Sequence, residues 1–409
     1  MSRDSSEVRR NWQLLVSACT GIICSSIVLP YYSIGALVVP ITEEFGWQRS
    51  QFQMAILFSS GLGALTAPVV GWLIDRYGAR RIALPGILGL SVGFVLATFM
   101  DGRLWMLYLS YGAMALLGAG TIPVTWTRAI TTNFFRQRGL ALGLTLSGTG
   151  LCAVIVPQYA VWMVEAYGWR AAYLGLAAMP LLIAGPVVYF GFRPREGIGG
   201  EALETGEAQW GMTLGEAFRT TKYWVLLISI FVVYMAVSGI GPNLIPALVD
   251  DGLTPAQAAT ALSTFGGAII AGRIIVGYLV DRFWAPGVAA LSLSLPVAGC
   301  LMLVGAPGFE TAVAAALLIG IAAGAELDLM SFLAAKYFGL RHYAKIYAVL
   351  YATLAVCSGT APMLFARVYD VTASYDVSFW ISTVLFALGA VLVLAMGAYP
   401  RMGDSRELP

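Results

Sequence analysis

Twelve long apolar runs decide what this chain can fold into. They cover residues 12–41, 51–75, 82–100, 104–132, 139–164, 171–191, 222–248, 256–280, 286–305, 311–336, 345–366 and 378–399, with short polar stretches between most of them. A helix needs roughly 20 apolar residues to cross the hydrocarbon core of a bilayer. Within that core every backbone N–H and C=O must find an internal partner, which leaves helices or closed barrels. Barrel strands alternate apolar and polar residues, whereas these runs are continuous. Only 11% of the residues are charged and the mean hydropathy is +0.79, against about 25% charged residues in a soluble domain. The expected fold is an all-α membrane protein with twelve transmembrane helices. The first run is too long for a signal-peptide core and is expected to stay as a span.

Charge supplies the orientation. Arg9, Arg10, Arg76, Arg80, Arg81, Arg136, Arg138, Arg193, Arg195, Arg219, Lys222, Arg282, Lys336, Arg341 and Lys345 fall at one end of the runs, as do Arg3, Arg401 and Arg406. Arg49, Arg103, Arg170 and Arg367 fall at the other. The positive-inside rule then puts both termini in the cytoplasm of a cell bounded by a plasma (inner) membrane, as an even number of spans requires. Residues 193–218, rich in Gly and Glu (Glu196, Glu201, Glu204, Glu207), read as a cytoplasmic linker. The expected organisation is a cytoplasmic N-terminus (1–11), a six-helix bundle (12–192), the linker (193–218), a second bundle (219–400) and a cytoplasmic C-terminus (401–409).

The bundles are related by sequence. At an offset of 206, Pro40 matches Pro246, Gly61 matches Gly267, Gly71 matches Gly277, Leu73 matches Leu279, Asp75 matches Asp281 and Arg76 matches Arg282; at 203, Phe135 matches Phe338 and Arg138 matches Arg341. Paired residues share depth and direction, so this is a parallel repeat about an axis along the membrane normal.

The loop after the second run reads Gly71-Trp-Leu-Ile-Asp75-Arg76-Tyr-Gly78-Ala-Arg80-Arg81, and Gly277-Tyr-Leu-Val-Asp281-Arg282 repeats its core. This resembles the loop signature of the major facilitator superfamily, which implies two six-helix halves working by alternating access. The glycine is expected to let two helices approach. The aspartate is expected to pair with an arginine and to accept amide hydrogen bonds, latching the cytoplasmic face in favour of the outward-open state.

A narrower resemblance rests on Phe134-Phe135-Arg136-Gln137-Arg138-Gly139-Leu140-Ala141 through Gly143, Gly148 and Gly150, on Tyr32-Ser33 ahead of Pro40, and on Gly272-Arg273. These are similar to the monocarboxylate transporter and oxalate:formate antiporter families, in which the position of Arg273 holds a substrate-binding arginine. The chain departs from both. The acid that monocarboxylate transporters carry four residues before that arginine is Ile269 here, their helix-1 lysine is replaced near Ile34, and the helix-11 lysine of oxalate exchangers is Thr353. The second positive charge that would suit a dicarboxylate is therefore missing from its usual place.

Within the runs, the charges well away from the ends are Arg128, Arg273, Glu326 and Asp328. Ionisable groups in hydrocarbon are costly and mark cavities or partners. Arg273 lies eight residues before Asp281, about 12 Å deeper at 1.5 Å per residue. Glu326 and Asp328, ahead of Lys336, reach about 15 and 12 Å. Two residues apart on a helix, these acids point about 200° from each other, so one can face the central cavity and the other should pair between helices. Arg273 is the candidate for the substrate carboxylate or for an ion pair with Asp328. Glu326 and Asp328 are candidates for proton coupling, with Glu326 placed first. Arg128 is expected to pair with an acid or to snorkel. Tyr31, Tyr32, Trp126, Asn243 and Tyr351 are the candidate aromatic and polar cavity residues.

The function classes narrow accordingly. A net charge of +2 offers no basic surface for nucleic acid. Cys19, Cys24, Cys152, Cys300 and Cys357 sit in apolar runs and read as packing residues. The chain has no His-Glu-x-x-His, no phosphate loop ending in Lys-Ser/Thr, and one histidine, His342, in a loop; no catalytic residues, metal or cofactor are expected. The expected function is secondary active transport of a small organic anion, a monocarboxylate such as lactate or a similar acid, coupled to protons by a functional monomer in the bilayer. The alternatives are a proton-coupled exporter of cationic or drug-like compounds, using Glu326 or Asp328, and a non-transporting receptor of the same fold.

Overall fold

A computed structural model describes residues 7–134, 137–193, 211–339 and 341–399. Arg136, most of the expected linker and the outermost residues of both termini lie outside the described residues.

The helices follow the apolar runs. A short α1 (Glu7–Arg10) leads into α2 (Trp12–Ile23) and α3 (Val28–Phe45), which form the first pass. α4 (Arg49–Gln53) and α5 (Leu62–Tyr77) form the second, α6 (Ala79–Ala97) the third, and α7 (Leu104–Leu117) with α8 (Pro123–Asn133) the fourth. α9 (Arg138–Leu146) and α10 (Gly148–Ala178) carry the fifth, and α11 (Gly185–Gly191) completes the sixth. The turn between these two is Gly168, whose φ of 82° and ψ of 168° are non-helical and cost a residue without Cβ little. After α12 (Leu214–Phe218) come six single passes: α13 (Thr221–Asp250), α14 (Pro255–Val280), α15 (Ala285–Leu303), α16 (Phe309–Phe338), α17 (Tyr343–Thr372) and α18 (Asp376–Ala395).

Among the described residues, ten helical stretches are long and apolar enough to span a membrane. Splitting Leu140–Gly191 at Gly168 and counting the broken pair α7–α8 brings the passes to twelve.

Two passes expected as continuous unwind over several residues. The first unwinds between Ile23 and Val28, and the fourth between Leu117 and Pro123. In the fourth, Gly120 packs backbone to backbone on Gly86, and Pro123 starts the new helix because it cannot donate to the old one. The breaks meet. The Ser26 N–H donates to Thr121 Oγ1 at 2.9 Å, and the Trp126 indole donates to the Thr121 carbonyl at 2.8 Å. Backbone groups released by unwinding are thus satisfied, Ser26 by a neighbouring pass and Thr121 from within its own, rather than left bare in hydrocarbon.

Apolar packing forms two cores, one around Trp126, Tyr111, Tyr173 and Phe94, the other around Tyr223, Tyr337, Phe338 and Phe386. Each half ties its entry to its own repeated loop. The Val8 N–H donates to Gln137 Oε1 at 3.2 Å, and the Met212 N–H donates to the Phe338 carbonyl at 2.8 Å. In the second half, α14 and α16 touch backbone to backbone, with Gly272 on the Ile321 carbonyl and Gly324 on the Ile269 carbonyl. That close approach sets the geometry of the site.

Candidate functional site

Because α14 and α16 lie so close, Arg273 reaches across to Asp328, with Nε 3.6 Å from the carboxylate. Arg273 Nε and Nη1 are buried and make no hydrogen bond. The Asp328 side chain is 45% exposed against 12% for Arg273. A carboxylate that open halfway along a spanning helix faces a wet cleft rather than lipid. The Tyr32 phenol from the first half and the Tyr347 phenol from α17 both lie within electrostatic reach of Arg273. Tyr31 packs edge-on against Tyr32, with centroids 5.1 Å apart, and donates to the Ser238 carbonyl across the halves at 3.1 Å. Tyr351, the next tyrosine along this face of α17, is 44% exposed.

Glu326 faces elsewhere. It is 7% exposed, and neither carboxyl oxygen has a hydrogen-bond partner. It lines a small cavity inside the second half, walled by Leu226, Ile230, Val233, Leu293 and Leu329. The Tyr31 and Tyr234 phenols lie within electrostatic reach of it, but it has no cationic partner among the described residues.

Several expected positions are corrected. Trp126 is not a cavity residue: it is fully buried in the first core, against Phe192 and next to the paired breaks. Asn243 is also buried. Its amide donates to the carbonyls of Gly239 and Pro362 at 2.9 and 3.0 Å, which leaves no free donor for a substrate. Gly71 and Gly277 hold no close helix contact, since a Cβ at either would meet nothing within 4 Å. Asp75 pairs with Arg128, but both belong to the first half and are about half exposed. The pair therefore joins α5 to α8 and spans no gap between the halves. Arg76 lies over Trp72 and Tyr77, Arg80 binds the Tyr189 carbonyl, and Arg282 lies 4.0 Å above Tyr278. Asp281 caps α14 and has no ion pair among the described residues. Its repeat mate for Arg128, at the 203 offset, is Ser331.

The two halves meet in a polar cluster at the end away from the termini, which sequence reasoning missed. Arg49 pairs with Asp250 and stacks 4.0 Å above Tyr369. Asp370 accepts the N–H groups of Arg49 and Ser50, both at 3.0 Å. Arg367 donates to Gln48 Oε1 at 3.2 Å, and Gln53 donates to the Pro242 carbonyl at 3.1 Å. The available signal was charge: Arg49, Asp250, Asp251 and Asp370 sit at an end of the molecule that carries few basic residues. Asp251, in the turn beyond α13, has its carboxyl pushed up to about 6 by burial and by the neighbouring Asp376 and Asp250.

A membrane protein of two six-helix halves that close on each other at one end and hold charged groups in a central cleft has the architecture of an alternating-access carrier. The family model for the Major Facilitator Superfamily matches residues 14–232 and 226–409. The chain belongs to that superfamily, and is accordingly a multi-pass membrane transporter and not an enzyme. It is 26% identical over 308 residues to the uncharacterized MFS-type transporter YhjX of Escherichia coli (strain K12), covering 74% of this chain and 75% of that one. It is 25% identical over 386 residues to human monocarboxylate transporter 11, covering 89% and 78%. Its fold is similar to the crystal structure of a bacterial homolog of the human lysosomal transporter Spinster in an inward-facing and occupied conformation. That match has a TM-score of 0.71 at 16% identity and covers 97% of both chains.

Proposed function

We propose that this transporter carries a small monocarboxylate such as lactate together with a proton, across an inner membrane with both termini in the cytoplasm, as a monomer. The observation that carries this reading is the Arg273 guanidinium, which lies beside a wet cleft with two of its nitrogens making no hydrogen bond and one acid at 3.6 Å. A planar guanidinium suits a carboxylate held by two parallel hydrogen bonds. The likeness to monocarboxylate transporters at about a quarter identity supports the same class. Among the described residues Arg273 is the one cation placed beside Asp328, which fits one carboxylate better than two.

Charge balance argues for the proton. A substrate anion on Arg273 leaves Asp328 without its partner and beside a second negative charge, and one proton restores neutrality before the site crosses the membrane. Asp328 therefore takes the coupling role in preference to Glu326, which makes no hydrogen bond and has no cationic partner among the described residues. In this reading the closed end faces outward and the conformation is inward-facing; Asp75 with Arg128 braces the first half. Counterflow tests it: proteoliposomes loaded with lactate should accumulate labelled lactate, and Arg273→Ala should abolish that accumulation. Counterflow unchanged by Arg273→Ala would remove the anion site.

A further inference from the structure

The wall of the cleft beside Arg273 is more aromatic than a lactate-sized substrate requires. Tyr343, Tyr347 and Tyr351 recur every four residues on α17, so they share one helix face. The rings stack in series: Tyr343 on Tyr347 with centroids 5.4 Å apart at 24°, then Tyr347 on Tyr351 at 6.3 Å and 26°. Eight residues of helix make this ladder about 12 Å long. That length matches the depth at which Arg273 lies beyond Asp281. The ladder therefore runs from the end that carries the termini up to the guanidinium.

Tyr347 stands within electrostatic reach of both Arg273 and Asp328. Tyr32 approaches the same guanidinium from the other half, with Tyr31 edge-on behind it. Tyr351, at the inner end, keeps 44% of its surface accessible. A carboxylate placed on Arg273 would have the Tyr347 and Tyr32 rings near the next few atoms of the molecule. Stacking on such faces adds to the burial of apolar area, and the preferred spacing of 4.5–7 Å is the spacing already present in the ladder.

From this placement we infer that the preferred substrate is an aryl-substituted monocarboxylate: the carboxylate on Arg273, and the ring against Tyr347 and Tyr351. The inference rests on the monocarboxylate reading above and narrows it. A three-carbon acid would leave the accessible surface of Tyr351 uncovered.

The test is a calorimetric titration of the purified full-length transporter with three matched acids: lactate, 3-phenyllactate and 3-cyclohexyllactate. All three share the carboxylate and hydroxyl. Phenyllactate should bind roughly tenfold or more tightly than lactate, the gain expected of a buried ring that also stacks. Cyclohexyllactate should fall well short of phenyllactate. Tyr347→Leu should collapse the phenyllactate-to-lactate ratio towards one, and Tyr347→Phe should keep it, which also separates loss of the ring from loss of folding. Equal affinities for phenyllactate and lactate, or a ratio that survives Tyr347→Leu, would overturn the inference and leave the monocarboxylate reading standing. A cyclohexyl gain equal to the phenyl gain would make the ladder a merely apolar wall and would overturn the aromatic class. Binding of none of the three acids would sink both readings.

Discussion

The carboxylate of Asp370 on α17 accepts the backbone N–H of Arg49, and that of Ser50 beside it, so one half of the molecule caps a helix of the other. The first N–H groups of a helix have no internal partner and sit at its positive end, where a carboxylate is favoured. The Arg49 side chain returns the contact by pairing with Asp250 on α13. One short segment thus fastens α4 to two helices of the opposite half.

Loosening this closure should open the end away from the termini. Asp370→Ala and Arg49→Gln each remove charge-assisted hydrogen bonds, worth about 1.5–3 kcal/mol apiece, so each should shift the conformational ratio by roughly tenfold or more. Ala36, on α3 at the boundary with the second core, offers a reporter. In a cysteine-depleted background, Ala36→Cys should react faster with an impermeant maleimide when either gate variant is added. Unchanged labelling would mean that the cluster does not hold that end shut.

Arg273→Lys keeps a positive charge for Asp328 but loses the fork that two parallel hydrogen bonds need. The variant should reach the membrane and melt near the wild-type temperature, while its affinity for a monocarboxylate falls by roughly tenfold or more. Titration calorimetry beside a melting curve would separate the two effects. Wild-type affinity in the lysine variant would show that bidentate binding plays no part.

The two acids should behave differently. Asp328→Asn should retain exchange of internal for external substrate but lose uptake driven by a pH gradient, because exchange needs no change in protonation. Glu326→Gln should leave both modes largely intact, as the amide replaces a carboxyl that makes no hydrogen bond. Should Glu326→Gln abolish gradient-driven uptake while Asp328→Asn keeps it, the coupling role passes to Glu326.

The turn beyond α13 should carry a pH signature. Asp251 is held at about 6, above its ordinary value of 3.8. A carboxyl raised in the folded state contributes stability that is complete below its unfolded value and is lost as pH rises through the folded one. Between about pH 4 and 6 this group should therefore lose its stabilising contribution. Asp251→Asn should flatten that part of the melting curve against pH, by on the order of 2 °C. Parallel curves for wild type and variant would contradict the burial assigned to this carboxyl.

Much of this molecule is written locally in the chain. Apolar runs of spanning length dictate helices, because hydrocarbon tolerates no unpaired backbone. The register of Gly71 to Arg76 with Gly277 to Arg282 announces two related halves before any coordinate is known. Helix arithmetic alone separates Glu326 from Asp328 by about 200°. The identity of the residue that Asp328 meets depends on how closely α14 and α16 approach, which Gly272 and Gly324 permit but do not by themselves reveal. Trp126 illustrates the opposite case: an indole in an apolar run reads alike on a cavity wall or in a core, and only the neighbouring break at Thr121 supplies its acceptor. The gate lay furthest from view. Arg49 and Asp250 are 201 residues apart, and Arg49 and Asp370 are 321 apart. Periodicity and spacing act over a few turns of one helix, whereas contacts between halves exist only once both have folded and docked. The sequence alone therefore determined the helices, their repeat and the residues costly enough to need partners; tertiary structure decided which partners they have, because that choice depends on distances between helices rather than along them.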